Sequence, residues 1–182
     1  WGETTREECI ATVRQAVDLG ITLLDMAPSY GDGEAELVVG AAFDGKLPGG
    51  VRVTTKHRLG HTDPEAIEEN IRDGLEESLK RLRLEKVDLF FLHSNIIPHD
   101  FDASVYVTRP ATRWWVYEEH FVPTCKKLVS EGKIGAWGIR GAESRGRERF
   151  GMQNGGERTD LGSKMEGKTS DLGARWRNRR LR

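Results

Sequence analysis

The sequence predicts an α/β fold, a parallel sheet or barrel with right-handed crossovers. Three observations carry that expectation. Helical and extended patterns alternate from residue 5 to residue 139. The extended segments, 21–24, 51–56, 87–93 and 134–139, are short and rich in apolar or β-branched residues, as buried strands are. Three successive segments end at an ionisable residue, Asp25, Lys56 and His93. Sites in parallel α/β folds are built where the carboxyl ends of strands meet their loops.

Each element has its own local reason. Thr5 and Glu8 have the spacing of a capping box. Ile10, Val13, Ala16 and Val17 then line one helical face, and Gly20 stops the helix. The apolar run 21–24 predicts a buried strand, and Pro28, Gly31 and Gly33 turn the chain after it. Leu37, Val38 and Ala41 predict a second helix over 34–43 with those residues inward. Residues 51–56 alternate and predict a strand with Lys56 at its far end. Asp63 and Pro64 read as an N-cap and first helical residue. Ile67, Ile71, Leu75, Leu79 and Leu82 follow at helical spacing. The run 87–93 reads as a strand buried on both faces. Residues 94–116 form a long mixed connection holding Trp114 and Trp115, which either line a pocket or cover a barrel mouth. A helix over 123–131 joins the preceding turn at a proline kink and ends at Gly132, before a last strand over 134–139.

Composition bounds the function classes. The chain has 182 residues, 31% of them charged, with a net charge of −1. That gives no global pull toward nucleic acid or anionic membrane. No apolar run approaches the roughly 20 residues a bilayer requires. Cys9 and Cys125 are the only cysteines. Two lone helical thiols read as core filler in a reducing, cytoplasmic setting. No histidine or cysteine set has metal-ligand spacing. His57 and His61 read as loop residues near Lys56, and His99 and His120 carry no signal. The expected domain is 1–142. Residues 143–182 hold 11 lysines and arginines against 6 acidic residues, and 7 glycines, without periodicity. That composition predicts a disordered, Gly/Arg-rich tail.

Asp25, Tyr30, Lys56 and His93 together suit one chemistry. A free phenol has a pKa of about 10, and a nearby ammonium lowers it by favouring the phenolate. Lys56 can supply that charge, Asp25 can hold Lys56, and His93 can donate to a carbonyl oxygen. The set would protonate an oxygen while hydride reaches the adjacent carbon, which requires a nicotinamide. The structural alternative is an Asp25–Lys56 ion pair, a turn tyrosine and a strand-end histidine.

The run from Leu24 through Asp25, Pro28, Ser29 and Tyr30 to Gly31 resembles the aldo-keto reductases. So do Thr54, Thr55 and Lys56, then Asp88 to His93, Glu77 to Leu82, and Gly132 to Gly138. The resemblance covers roughly 1–141. It implies the N-terminal half of a (β/α)8 TIM barrel, NADP(H) as cofactor and reduction of a small carbonyl compound. It implies Tyr30 as proton donor, Lys56 and Asp25 tuning it, and His93 orienting the carbonyl. Asp25, Ser94 and Asn95 are the cofactor-binding candidates. After the fifth strand the family often carries a small polar side chain near the nicotinamide amide, where this chain has Arg140. The resemblance ends after about that strand. A truncated, inactive member or a regulatory binding module is therefore the alternative. Exposed sheet edges would favour self-association.

Overall fold

The computed structural model describes residues 4–59, 62–100 and 111–140. The expected segment 143–182 and His61 lie outside these. Helix α1 (Arg6–Asp18) opens on the expected capping box. The Thr5 amide donates to Glu8 Oε2 at 2.8 Å, and the Glu8 amide donates to Thr5 Oγ1 at 3.2 Å. The helix ends at Leu19, and Gly20 follows with φ near +100°. Strand β1 (Leu23–Asp25) leads to α2 (Glu34–Phe43), and β2 (Arg52–His57) to a 3-10 turn and α3 (Ile67–Leu82). Strand β3 (Val87–Leu92) is followed by two short strands, β4 (Asn95–Ile97) and β5 (Ala111–Arg113). Helix α4 (Trp114–Val116) runs through a π-helical turn (Tyr117–Phe121) into α5 (Val122–Ser130), and β6 (Ile134–Ile139) closes the described chain.

The strands β1, β2, β3 and β6 lie in that order in one sheet, every pair parallel. Helices cover one face. Leu24, Val53, Phe90 and Leu92 are buried there with Ile67, Ile71, Leu75 and Leu79 of α3. Alternation turns Leu23, Asp25, Thr54, Lys56, Leu89 and Phe91 to the other face, which in a closed barrel is the interior. Strands β4 and β5 pair separately, also in parallel.

Several expectations change. The strand predicted over 21–24 is displaced to Leu23–Asp25, and only Leu24 in it is buried. Ile21 and Leu23 are about half exposed, because Leu23 belongs to the face without helices. The same asymmetry leaves Leu89 and Phe91 of β3 partly exposed, whereas Phe90 and Leu92 are sealed. The inward face of α2 is Glu36, Val38, Val39, Gly40 and Ala42, so Val38 is buried as expected while Leu37 and Ala41 are not. Glu36 takes its place because it is paired inside. Asp63 makes no side-chain cap bond, and Pro64 starts a 3-10 turn rather than α3. The turn expected before Pro123 is a π-helical turn, Tyr117–Phe121, and α5 starts at Val122, so helix runs on through Pro123. Trp114 and Trp115 lie on α4, with Trp114 against Tyr117 and Trp115 edge-on to His120. His57 is the last residue of β2, not a loop residue. Its Nε2 meets Asn70 Oδ1 at 2.8 Å and its ring packs over Gly74.

Candidate active site

Parallel register brings the predicted residues to one end of one sheet face. Asp25 pairs with Thr54, and Lys56 with Phe91, so Lys56 lies one inward-facing position beyond Thr54. The loop after β1 folds back over that end. The Met26 amide donates to Thr54 O at 3.0 Å, and the Tyr30 amide to Ala27 O at 3.0 Å. Gly31 and Gly33, both at positive φ, then turn the chain into α2.

Lys56 is the centre of the cluster. It is 1% exposed, and a buried ammonium is tolerated only when paired and fully bonded. Its Nζ donates to Asp25 Oδ1 at 2.8 Å, to Met26 O at 2.9 Å and to Tyr30 Oη at 3.1 Å. Those three bonds use all three ammonium protons. The Tyr30 oxygen accepts from Lys56, so its own hydrogen is left to donate elsewhere. The same Nζ also lies 4.7 Å from the centre of the Tyr30 ring. Tyr30 is 38% exposed and therefore reachable from solvent.

Asp25 is open on one side, its side chain 52% exposed. Burial acts to raise its pKa. Hydrogen bonds from Lys56 and Thr54, with the charges of Lys56 and Arg140, outweigh burial and hold it below the ordinary aspartate value. Thr54 Oγ1 donates to Asp25 Oδ1 at 2.6 Å. Thr54 was missed from sequence. Its signal was parity, since it lies two residues before Lys56 on the same strand face.

His93 sits beyond β3, its amide donating to His57 O at 2.7 Å. Among the described residues its ring makes no side-chain hydrogen bond. Burial holds its pKa below the usual histidine value, helped by Arg58, Lys56 and Arg140 and opposed by Asp25. The imidazole is thus biased toward its neutral form, which offers one N–H donor. Ser94 is buried. Its hydroxyl donates to Asn95 O at 3.2 Å and accepts from Thr112 Oγ1 at 2.9 Å. Asn95 begins β4 and is 8% exposed. Cys125 is buried in α5, which pushes its thiol up to about 12, and it takes no part. No group of three or more potential metal ligands gathers among the described residues. No helix among them is long and apolar enough to cross a membrane.

The model of the aldo/keto reductase family matches residues 1–153. This chain belongs to that family. It is 39% identical over 147 residues to aldo-keto reductase YhdN of Bacillus subtilis, covering 76% of this chain and 38% of that protein. It is 38% identical over 130 residues to human aflatoxin B1 aldehyde reductase member 2, covering 71% and 32%. Among solved structures it resembles an aldo-keto reductase of Klebsiella pneumoniae in complex with NADPH. There the TM-score is 0.55 and the identity 29%, covering 76% of this chain and 41% of that one. The chain thus spans about two fifths of the length of the relatives it matches. With its one-sided parallel sheet, it is a partial TIM barrel.

Proposed function

We propose that this aldo-keto reductase chain reduces an aldehyde or ketone with NADP(H), Tyr30 donating the proton. The observation that supports this most is the Lys56–Tyr30 bond, 3.1 Å long, in which the ammonium is the donor. It leaves the phenol hydrogen for the substrate and sets a positive charge beside the oxygen that becomes anionic. Asp25 and Met26 O hold Lys56 in place. His93, biased to the neutral form, donates its N–H to the carbonyl oxygen and orients it.

The donor set fits a nicotinamide, since proton donor, charge partner and carbonyl orienter are all present and no side chain can supply hydride. Bound NADPH would supply that hydride to the carbonyl carbon. The carbonyl's electron pair moves to its oxygen, which takes the Tyr30 proton, and solvent later returns a proton to the phenolate. Asp25 and Asn95 would hold the nicotinamide end. Ser94 belongs to that group only if its hydroxyl leaves Thr112. Klebsiella relatives solved with NADPH or NADP support this choice of cofactor.

The test is carbonyl-dependent NADPH oxidation by the full chain. Tyr30→Phe is expected to abolish turnover while leaving NADPH fluorescence titration unchanged. Turnover retained in Tyr30→Phe would remove the assigned role.

A further inference from the structure

Beyond Lys56, the sheet carries a second row of charge. His57 pairs with Leu92, and Leu92 with Ile139. The ladder continues one step further, through the His93 amide to His57 O at 2.7 Å and the Arg140 amide to Leu92 O at 2.8 Å. Arg58, His93 and Arg140 therefore stand abreast, each one residue past the end of β2, β3 and β6. Neighbouring strands lie about 4.8 Å apart, so His93 has an arginine as its neighbour on each side along the sheet.

Among the described residues, neither Arg58 nor Arg140 forms a salt bridge or a side-chain hydrogen bond, and both are exposed. Both lie within electrostatic reach of His93, and Arg140 also of Asp25. Among the described residues, Asp25 is the acidic group that acts on His93, and it is already bonded to Lys56 and Thr54. Among the described residues, the mouth of the site thus gathers Lys56, Arg58 and Arg140 against the Asp25 carboxylate. A planar guanidinium matches a carboxylate with two parallel N–H donors.

We infer that Arg58 and Arg140 recognise a carboxylate next to the reacting carbonyl, so that the substrate class is the 2-oxo acids. This deepens the reductase reading and rests on it for the reaction. In a 2-oxo acid the anionic group is bonded directly to the carbonyl carbon. With His93, the residue between them, on the carbonyl oxygen, the adjacent carboxylate lies within reach of both guanidinium groups. Hydride from the nicotinamide reaches the carbonyl carbon and the Tyr30 proton reaches its oxygen. The product is the 2-hydroxy acid, with the carboxylate unchanged. An anion at this place has a second source, the pyrophosphate of a dinucleotide, and the experiment separates the two.

The full chain is titrated with pyruvate, methyl pyruvate and inorganic pyrophosphate while the His93 ring resonance is followed by NMR. Expected is a saturable shift with pyruvate and at least about tenfold weaker binding of the ester. Arg140→Ser and Arg58→Ser each weaken pyruvate binding by about fivefold or more, and Arg140→Lys restores part of it. Equal binding of acid and ester, no saturable shift with pyruvate, or tighter binding of pyrophosphate than of pyruvate overturns the inference. NADPH oxidation is read in parallel. Preference for pyruvate over its ester without turnover of any carbonyl keeps the row and removes the reductase reading. Equal turnover of pyruvate and a neutral aldehyde keeps the reading and removes the row.

Discussion

Glu36 Oε2 lies 2.7 Å from Arg81 Nε, joining the first turn of α2 to the last turn of α3 in an ion pair whose carboxylate is fully buried and whose guanidinium is half-buried. The other carboxylate oxygen accepts the Thr55 hydroxyl at 2.6 Å. Thr55 precedes Lys56, and α2 begins four residues after Tyr30. The pair therefore ties the helix that follows the Tyr30 loop to the strand that carries Lys56. Arg81→Met strands a buried carboxylate and should cost about 3–5 kcal/mol in urea unfolding. Glu36→Gln in the Arg81→Met background should recover part of that loss, since the remaining buried group is then uncharged.

Two glycines mark close approaches of different kinds. A Cβ on Gly74 would lie 2.2 Å from His57 Nδ1, a side-chain atom. A Cβ on Gly40 would lie 2.2 Å from the Arg81 carbonyl oxygen, which is backbone. Each alanine substitution should destabilise by about 1–3 kcal/mol through overpacking. His57→Ala should relieve Gly74→Ala and leave Gly40→Ala unrelieved. Denaturant midpoints of the single and double variants check this.

Stability should rise with pH on the acid side of neutrality. His57 has a lowered pKa, chiefly through burial, partly offset by its bond to Asn70, and His93 is lowered too. The unfolded chain, with ordinary histidines near pH 6.5, then binds more protons than the folded one. Their contribution is complete above about pH 6.5 and is lost as pH falls toward the folded values. Unfolding free energies measured from pH 5 to 7.5 should show this positive slope. The double variant His57→Gln/His93→Gln should flatten it.

Lys56 and Asp25 should respond unequally to substitution. Lys56→Met removes the buried cation and leaves a carboxylate that still reaches water. Asp25→Asn leaves the cation buried without its countercharge. Asp25→Asn should therefore cost about 1–3 kcal/mol, more than Lys56→Met, by thermal or urea unfolding. Carbonyl reduction should fall about 10²–10⁴-fold in Lys56→Met, because the phenolate loses its partner.

Much of this was legible because it is local or periodic. The capping box of Thr5 and Glu8, the four-turn apolar stripe of α3 and the strand at 134–139 are each written within one element. The meeting of Asp25, Tyr30 and Lys56 was legible because parallel strands in register bring their ends together. What sequence missed depends on partners far along the chain. Glu36 reads as a surface residue until Arg81 and Thr55 are seen to satisfy it. His57 reads as a loop residue because its inward position is set by Asn70 and by the missing side chain at Gly74. Leu23 reads as core because the pattern of a strand does not record which of its faces a helix covers.

Under the proposed aldehyde or ketone reduction, the bonding of Lys56 has a chemical consequence. Free amines condense with aldehydes to give imines, and that attack needs a nitrogen lone pair. An ammonium whose three protons are each held by oxygen, and which solvent scarcely touches, has none to offer. Lys56, beside the proposed carbonyl position, is thus closed to adduct formation with the electrophiles that the site would receive.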